Sequence, residues 1–265
     1  MSADPAPGLR HRWHRVGDYD ELTRRVQRRN AELVARLHPE PGPVRSAYEI
    51  GCGTGNLTAA LVRALPAARI DAVDVSAPML AEPARKPWPQ RVRFARAAFP
   101  DVPVRRRYEA VFSNAALHWM HADYPRVFAT IAALLVPGGV ACLAVAARTA
   151  GTDAFEADLA ARLPAAVPRA GLESFARSRR TADEVAGLAE AAGLAVADAF
   201  VVERRAVLPA GAYARWWVAS GGPWAGGDGP RDPAGVIAAG LGGPDAPVEL
   251  VHASVLAVLQ RPEPG

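Results

Sequence analysis

Short apolar runs alternate with helix-period segments over roughly the first 150 residues. Ser46 to Ile50, Ala68 to Asp74, Arg91 to Ala95, Ala110 to Ser113 and Val140 to Ala147 are brief and apolar-leaning, and they read as strands. Between them Leu57 to Ala64, Met79 to Ala84 and Tyr124 to Leu135 recur at helical spacing. This alternation predicts a parallel sheet with right-handed crossovers, its ligand lying at the carboxyl ends of the strands.

The flanks follow other patterns. Leu22, Val26, Leu33 and Leu37 share one side of the segment Trp13 to Leu37, which predicts an amphipathic helix after a turn at Gly17-Asp18-Tyr19-Asp20. Residues 1 to 9 are polar and proline-containing, the composition of a disordered end. Beyond Arg148, Asp153 to Leu163 and Thr181 to Ala192 are helical in period, Leu194 to Val202 reads as a strand, and Glu249 to Gln260 as a last strand before Pro262. Residues 221 to 247 hold nine glycines and five prolines among twenty-seven, which predicts a mobile surface loop with no regular element.

The chemistry concentrates in Tyr48-Glu49-Ile50-Gly51-Cys52-Gly53-Thr54-Gly55-Asn56, at the first strand-to-helix turn. Three alternate glycines allow left-handed backbone and clear β-carbons from one side, so a nucleotide-like ligand can lie against the amides. A dinucleotide fingerprint needs glycine at the sixth position, where this chain has Asn56, which disfavours a nicotinamide-dependent oxidoreductase. Asp74 ends the second strand at about the 20-residue interval a ribose-binding carboxylate requires, and Ser76 and Pro78 open a helix. Two vicinal hydroxyls are two donors, and a carboxylate offers the acceptors.

Four successive blocks resemble the class I S-adenosylmethionine-dependent methyltransferases: Glu49-x-Gly51-x-Gly53-x-Gly55, Val73 to Leu80, Tyr108 to Trp119, and Leu134 to Gly139. Ser113-Asn114-Ala115-Ala116-Leu117-His118-Trp119 is similar to the block of the branch that includes trans-aconitate, malonyl-carrier and natural-product small-molecule methyltransferases. The resemblance covers about residues 10 to 147 well and the remainder in outline. It implies an α/β, Rossmann-like fold with a seven-stranded, mostly parallel sheet, an antiparallel edge strand and an N-terminal helical lid. Residues 1–265 would form one domain: lid helix at 10–40, cofactor-binding core at 45–147, cap and insertion at 148–248, and closing edge strand at 249–261, paired in a hairpin with the Leu194 run.

The resemblance also assigns roles. S-adenosylmethionine would be the cofactor, with Glu49 toward the methionine ammonium, the Gly51, Cys52, Gly53 and Gly55 backbone beside its carboxylate, and Asp74 with Val75 at the ribose. Met79 matches an adenine-edge methionine, its plain alternative being core packing. Ala98, next to Phe99, stands where the family usually has an aspartate for the adenine amino group, so a backbone carbonyl or water would substitute. Asn114 and Ala115 would touch the methionine moiety. His118, just beyond the fourth strand, is the candidate substrate contact and base, against a structural hydrogen bond in the loop; Tyr19 would close over the cofactor from the lid. His118-x-x-His121 lacks a third ligand, so no metal site is expected. Of the adjacent Trp216 and Trp217, at most one is expected to line a substrate pocket.

Composition narrows the partners. Half of the 265 residues are apolar, enough for one core, and no run approaches the roughly 18 to 20 apolar residues of a membrane span. A cytoplasmic protein is expected. Cys52 and Cys142 are the only cysteines, which argues against a disulfide framework or zinc site. The net charge is +4, and Arg10 to Leu37 carries eight arginines against four acids. That surplus reads as the solvated face of the amphipathic helix rather than a nucleic-acid patch. The expected activity is O-methylation of a carboxylate or a phenol or hydroxyl on a small molecule. The alternatives are a cyclisation or rearrangement aided by the same cofactor, and a non-catalytic cofactor-binding module.

Overall fold

The computed structural model describes residues 27–39, 43–220, 222–224 and 229–265. Among these, seven strands form one sheet in the order β3-β2-β1-β4-β5-β7-β6: β1 (Ser46–Ile50), β2 (Arg69–Asp74), β3 (Val92–Arg96), β4 (Tyr108–Asn114), β5 (Leu135–Ala146), β6 (Ala195–Pro209) and β7 (Pro247–Gln260). The first five pair in parallel, as the alternating pattern predicts, while β7 runs antiparallel to both β5 and β6.

Strand side chains alternate between two cores. Tyr48, Ile50, Val111 and Leu143 enter one, closed by α4 (Tyr124–Leu134) and α7 (Ala182–Ala191). Ala47, Ala110, Phe112 and Cys142 enter the other, closed by α2 (Asn56–Ala64) and by the helix at 27–36, α1. Burial of both faces explains why these strands read as short continuous apolar runs. In α1, Asn30, Ala31, Val34 and Ala35 are buried and Arg28, Arg29 and Arg36 exposed, so the arginines there do form the solvated face. Leu22, Val26 and Tyr19 lie outside the described residues.

The C-terminal half departs most from expectation. The antiparallel strand is not the edge: β7 lies one place in, and β6 covers it. β7 is buried along most of Val248 to Leu259, whereas β6 carries Asp198, Glu203, Arg204 and Arg205 and is largely exposed, and charge suits an unpaired edge. The expected hairpin is present, but β6 reaches Pro209 and β7 starts at Pro247. Residues 221–247 are not an element-free loop. Asp232 accepts a hydrogen bond from Gly235 N (2.9 Å), Pro233 begins α9 (Pro233–Gly240), and Ile237 and Ala238 are buried against α8 (Ala210–Ala219). Cap and burial outweigh the glycine content. α8 and α6 (Ala170–Ser178) had no sequence signal, and β5 starts at Leu135, ahead of the glycine pair at 138–139. With α5 (Ala150–Arg162), capped reciprocally by Thr149 and Thr152, α8, α9 and the start of β7 build a third core.

Candidate active site

Beyond the carboxyl ends of β1, β2 and β4 lies a cavity of about 340 Å³. It brings together Gly51, Cys52, Gly53, Asp74, Val75, Met79, Ala98, Phe99, Asn114 and Ala115, ten of the fourteen residues singled out from the sequence. Backbone makes much of its wall. Gly51 has φ +67°, and a β-carbon there would sit 2.2 Å from the Ala116 Cβ. Gly53 has φ +53° with nothing within 4 Å of the position its β-carbon would take, because that side faces the cavity.

Asp74 locks the loop. Its Oδ2 accepts from Gly53 N (2.9 Å) and its Oδ1 from Ser76 N (2.8 Å), so one carboxylate fixes both the glycine turn and the entry to α3 (Ala77–Ala84). Burial raises its pKa, against the opposing effect of the Ser76, Gly53 and Val75 backbone hydrogen bonds. Each oxygen keeps acceptor capacity for a further donor. Lys86 adds a strut that the sequence did not suggest, donating from Nζ to the Thr54 carbonyl (2.8 Å), and Trp88 packs beside Gly55.

Glu49 and Gly55 stand behind the cavity wall. Glu49 is fully buried; Thr58 Oγ1 donates to its Oε2 at 2.6 Å, and its Oε1 has no hydrogen-bond partner. Burial pushes its pKa up to about 8, the Thr58 hydrogen bonds opposing and the Asp74 charge adding. Asn114 donates from Nδ2 to the Gln27 carbonyl (3.2 Å), tying β4 to α1, while its buried Oδ1 has no partner. Gln27 lines the cavity, so the start of α1 is part of the site.

His118 opens on a second cavity, of about 140 Å³, which shares Gln27, Ala115 and Trp119 with the first. Ala115 has φ +55°, a conformation disfavoured for alanine, at the seam between the two. The His118 ring lies 4.9 Å from Trp119 and 5.5 Å from Phe175, edge-on to the latter, and the His118 carbonyl accepts from His121 Nδ1 (3.0 Å). Among the described residues no group of three or more His, Cys, Asp or Glu could hold a metal ion.

Apart from Trp216 and Trp217, the rest of this second wall was invisible in the sequence. Phe155, Phe175, Tyr213, Trp216 and Trp217 supply aromatic surface, and both tryptophans line the cavity, contrary to expectation. Each lies 5.8 Å from Tyr213, one helical turn back on α8, so the three rings form one continuous wall. Arg179 and Glu156 form a buried ion pair at 2.9 Å. Burial first, then Arg204 and Arg179, push the His252 pKa down to about 4, so its ring is neutral near pH 7.

The sheet order, the glycine turn after β1, the carboxylate ending β2 and the cavity beyond the strand ends are together the arrangement of the class I S-adenosylmethionine-dependent methyltransferase fold. Residues 47–139 match the model of the methyltransferase domain. The chain is 38% identical over 109 residues to trans-aconitate 2-methyltransferase of Escherichia coli O1:K1, covering 41% of each chain. It is 33% identical over 138 residues to that of Deinococcus radiodurans, covering 49% of this chain and 52% of the relative. The match thus spans about half or less of these relatives' length.

Solved structures agree in fold. The 1,6-didemethyltoxoflavin-N1-methyltransferase of Burkholderia thailandensis, with bound 1,6-didemethyltoxoflavin and S-adenosylhomocysteine, is 20% identical with a TM-score of 0.54, over 99% of this chain and 94% of that one. The YcgJ protein of Bacillus subtilis is 17% identical with a TM-score of 0.59, over 89% of this chain and all of that one.

Proposed function

We propose that this chain transfers the methyl group of S-adenosylmethionine to an oxygen of a small molecule held in the second cavity. The observation that carries the reading is the junction of the two cavities at Ala115, with Gln27 and Trp119 common to both. A donor in one and an acceptor in the other would meet there, out of bulk water. The relatives' name, trans-aconitate 2-methyltransferase, supports a small-molecule acceptor.

The cofactor fits what the residues offer. Space in front of Gly53 and unpartnered buried oxygens on Glu49 and Asn114 suit a zwitterionic amino acid moiety, and Asp74 suits the ribose. Glu49 stands behind the loop rather than in the cavity wall, protonated near pH 7 in the ligand-free fold, and the arrival of the ammonium would favour its ionised form. Ala98 and Phe99 line the adenine side without an acidic side chain, and Met79 packs the adenine edge. The sulfonium supplies the reactivity of the methyl group, so the protein's task is alignment and exclusion of water. His118 takes the proton of a hydroxyl acceptor. Residues 45–147 would thus hold most of the cofactor and 148–261 most of the acceptor wall, with the N-terminal segment that includes Tyr19 as lid, all within one domain.

The test is calorimetry against S-adenosylmethionine and S-adenosylhomocysteine, followed by incubation of cell extract with methyl-labelled cofactor and mass spectrometry. The expected result is a labelled small molecule with stoichiometric S-adenosylhomocysteine. Binding without transferred label would favour a cyclisation or rearrangement; absence of cofactor binding in folded protein would sink the reading.

A further inference from the structure

We infer that Glu156 selects the acceptor class: paired with Arg179 inside the second cavity, it cancels the guanidinium and fits the cavity to an uncharged, hydroxyl-bearing planar ring rather than to a carboxylic acid. The inference rests on the reading of this cavity as the methyl-acceptor site. The match to the methyltransferase domain ends at residue 139, whereas Glu156 lies in α5 and Arg179 directly after α6.

The pair is built into the wall. Glu156 and Arg179 side chains are 12% and 7% exposed, and Glu156 Oε1 lies 2.9 Å from Arg179 Nη1. Those two atoms are close without aligning as a hydrogen bond, and neither has another partner. Charge is therefore compensated while a donor direction and an acceptor direction remain unused. Ser220 Oγ and His252 Nδ1, on the same wall, are also buried without partners. The Arg179 guanidinium stacks on Phe175 at 4.9 Å, which fixes its plane.

A carboxylate entering this wall would approach Arg179 only by coming close to Glu156, and like charges in a dehydrated cavity repel strongly. A neutral ring with one donor and one acceptor meets complementary groups on every polar side and aromatic surface elsewhere. Exclusion of the wrong ligand by a fixed charge is a common way to obtain specificity.

The experiment is calorimetry with the full chain, first against S-adenosylhomocysteine and then, with that ligand bound, against methyl 4-hydroxybenzoate and 4-hydroxybenzoate, which share a phenol and differ in one charge and one methyl group, with 4-hydroxybenzamide as the neutral probe of the acid's size. Wild type should prefer the ester by at least about tenfold. Glu156→Gln should leave S-adenosylhomocysteine affinity unchanged and invert or erase that preference by freeing Arg179 for the acid. Should Glu156→Gln not fold, the neutral pair Glu156→Gln with Arg179→Gln should keep the ester preference. Equal or tighter binding of the acid by wild type, no binding of either probe, or a ratio unmoved by Glu156→Gln would overturn the inference while cofactor binding stood. Failure to bind S-adenosylhomocysteine would instead count against the proposed function.

Discussion

The first cavity, proposed for the cofactor, and the second, proposed for the acceptor, share Ala115, yet they are made of different material. The first draws on peptide groups and short contiguous stretches at the ends of β1, β2 and β4, held by Asp74 and the Lys86 strut. The second draws mostly on single side chains from the turn after β4, from α5, α6 and α8, and from β5 and β7, spread from Gln27 to Ser254. A wall made of backbone tolerates little change in local conformation, because each peptide depends on its neighbours' dihedral angles. A wall made of side chains can change one residue at a time and keep its fold. The cofactor side is thus suited to a constant ligand and the acceptor side to a variable one.

The sharpest way to break this contrast is Gly53→Val. A branched side chain would enter the open space before the loop and force a positive φ on valine, so cofactor binding should be lost while the fold persists. Calorimetry at ordinary affinity in this variant would place the cofactor elsewhere. On the acceptor side, His118→Ala should slow transfer to a hydroxyl by about a hundredfold or more, with cofactor affinity unchanged. Turnover of the eventual substrate by His118→Ala and His118→Gln across pH checks this; rates within a fewfold of wild type at all pH values would leave His118 structural.

Asp74→Ala should weaken cofactor binding by about 1 to 3 kcal/mol, since it leaves the Gly53 and Ser76 amides and the bound hydroxyls without their acceptor. Unchanged affinity in a folded variant would remove the ribose assignment. The last test concerns Glu49. Its pKa rises from 4.5 in the unfolded chain to about 8 in the ligand-free fold, so the fold retains a proton that the unfolded chain releases between those values. That contribution to stability is fully present below about pH 4.5 and is lost as pH rises through about 8. Urea unfolding of the ligand-free protein at pH 5 and pH 8.5 should show wild type losing stability relative to Glu49→Gln over that interval; parallel behaviour would mean that Glu49 is ionised in the fold.

Legibility in the sequence follows the same division. β1 is found at its expected bounds, β2 and β3 within one residue of theirs, and Asp74 and the glycine turn meet as their spacing implied. The acid at position 49 was visible in the sequence but its placement was not, because whether a strand-end acid faces the cavity or the helix behind depends on where Thr58 packs. The stretch 221–247 misled because glycine and proline content reports propensity alone, whereas α9 is held by the Asp232 cap and by burial of Ile237. The place of β7 inside the sheet edge was foreshadowed by its apolar run against the charged β6, a difference in burial that pairing patterns alone do not express.

The sequence by itself determined the α/β class, the parallel half of the sheet and the cofactor turn, because those depend on interactions between residues near one another in the chain: period, caps and glycine spacing. Only the tertiary structure decided that Glu156 and Arg179 would pair, that His252 would turn a buried Nδ1 toward this wall near two arginines, and that Phe175 and Tyr213 would face one space. Those contacts join residues from α5 to β7 whose spacing carries no period, and each exists only once α5, α6, α8 and β7 have packed together.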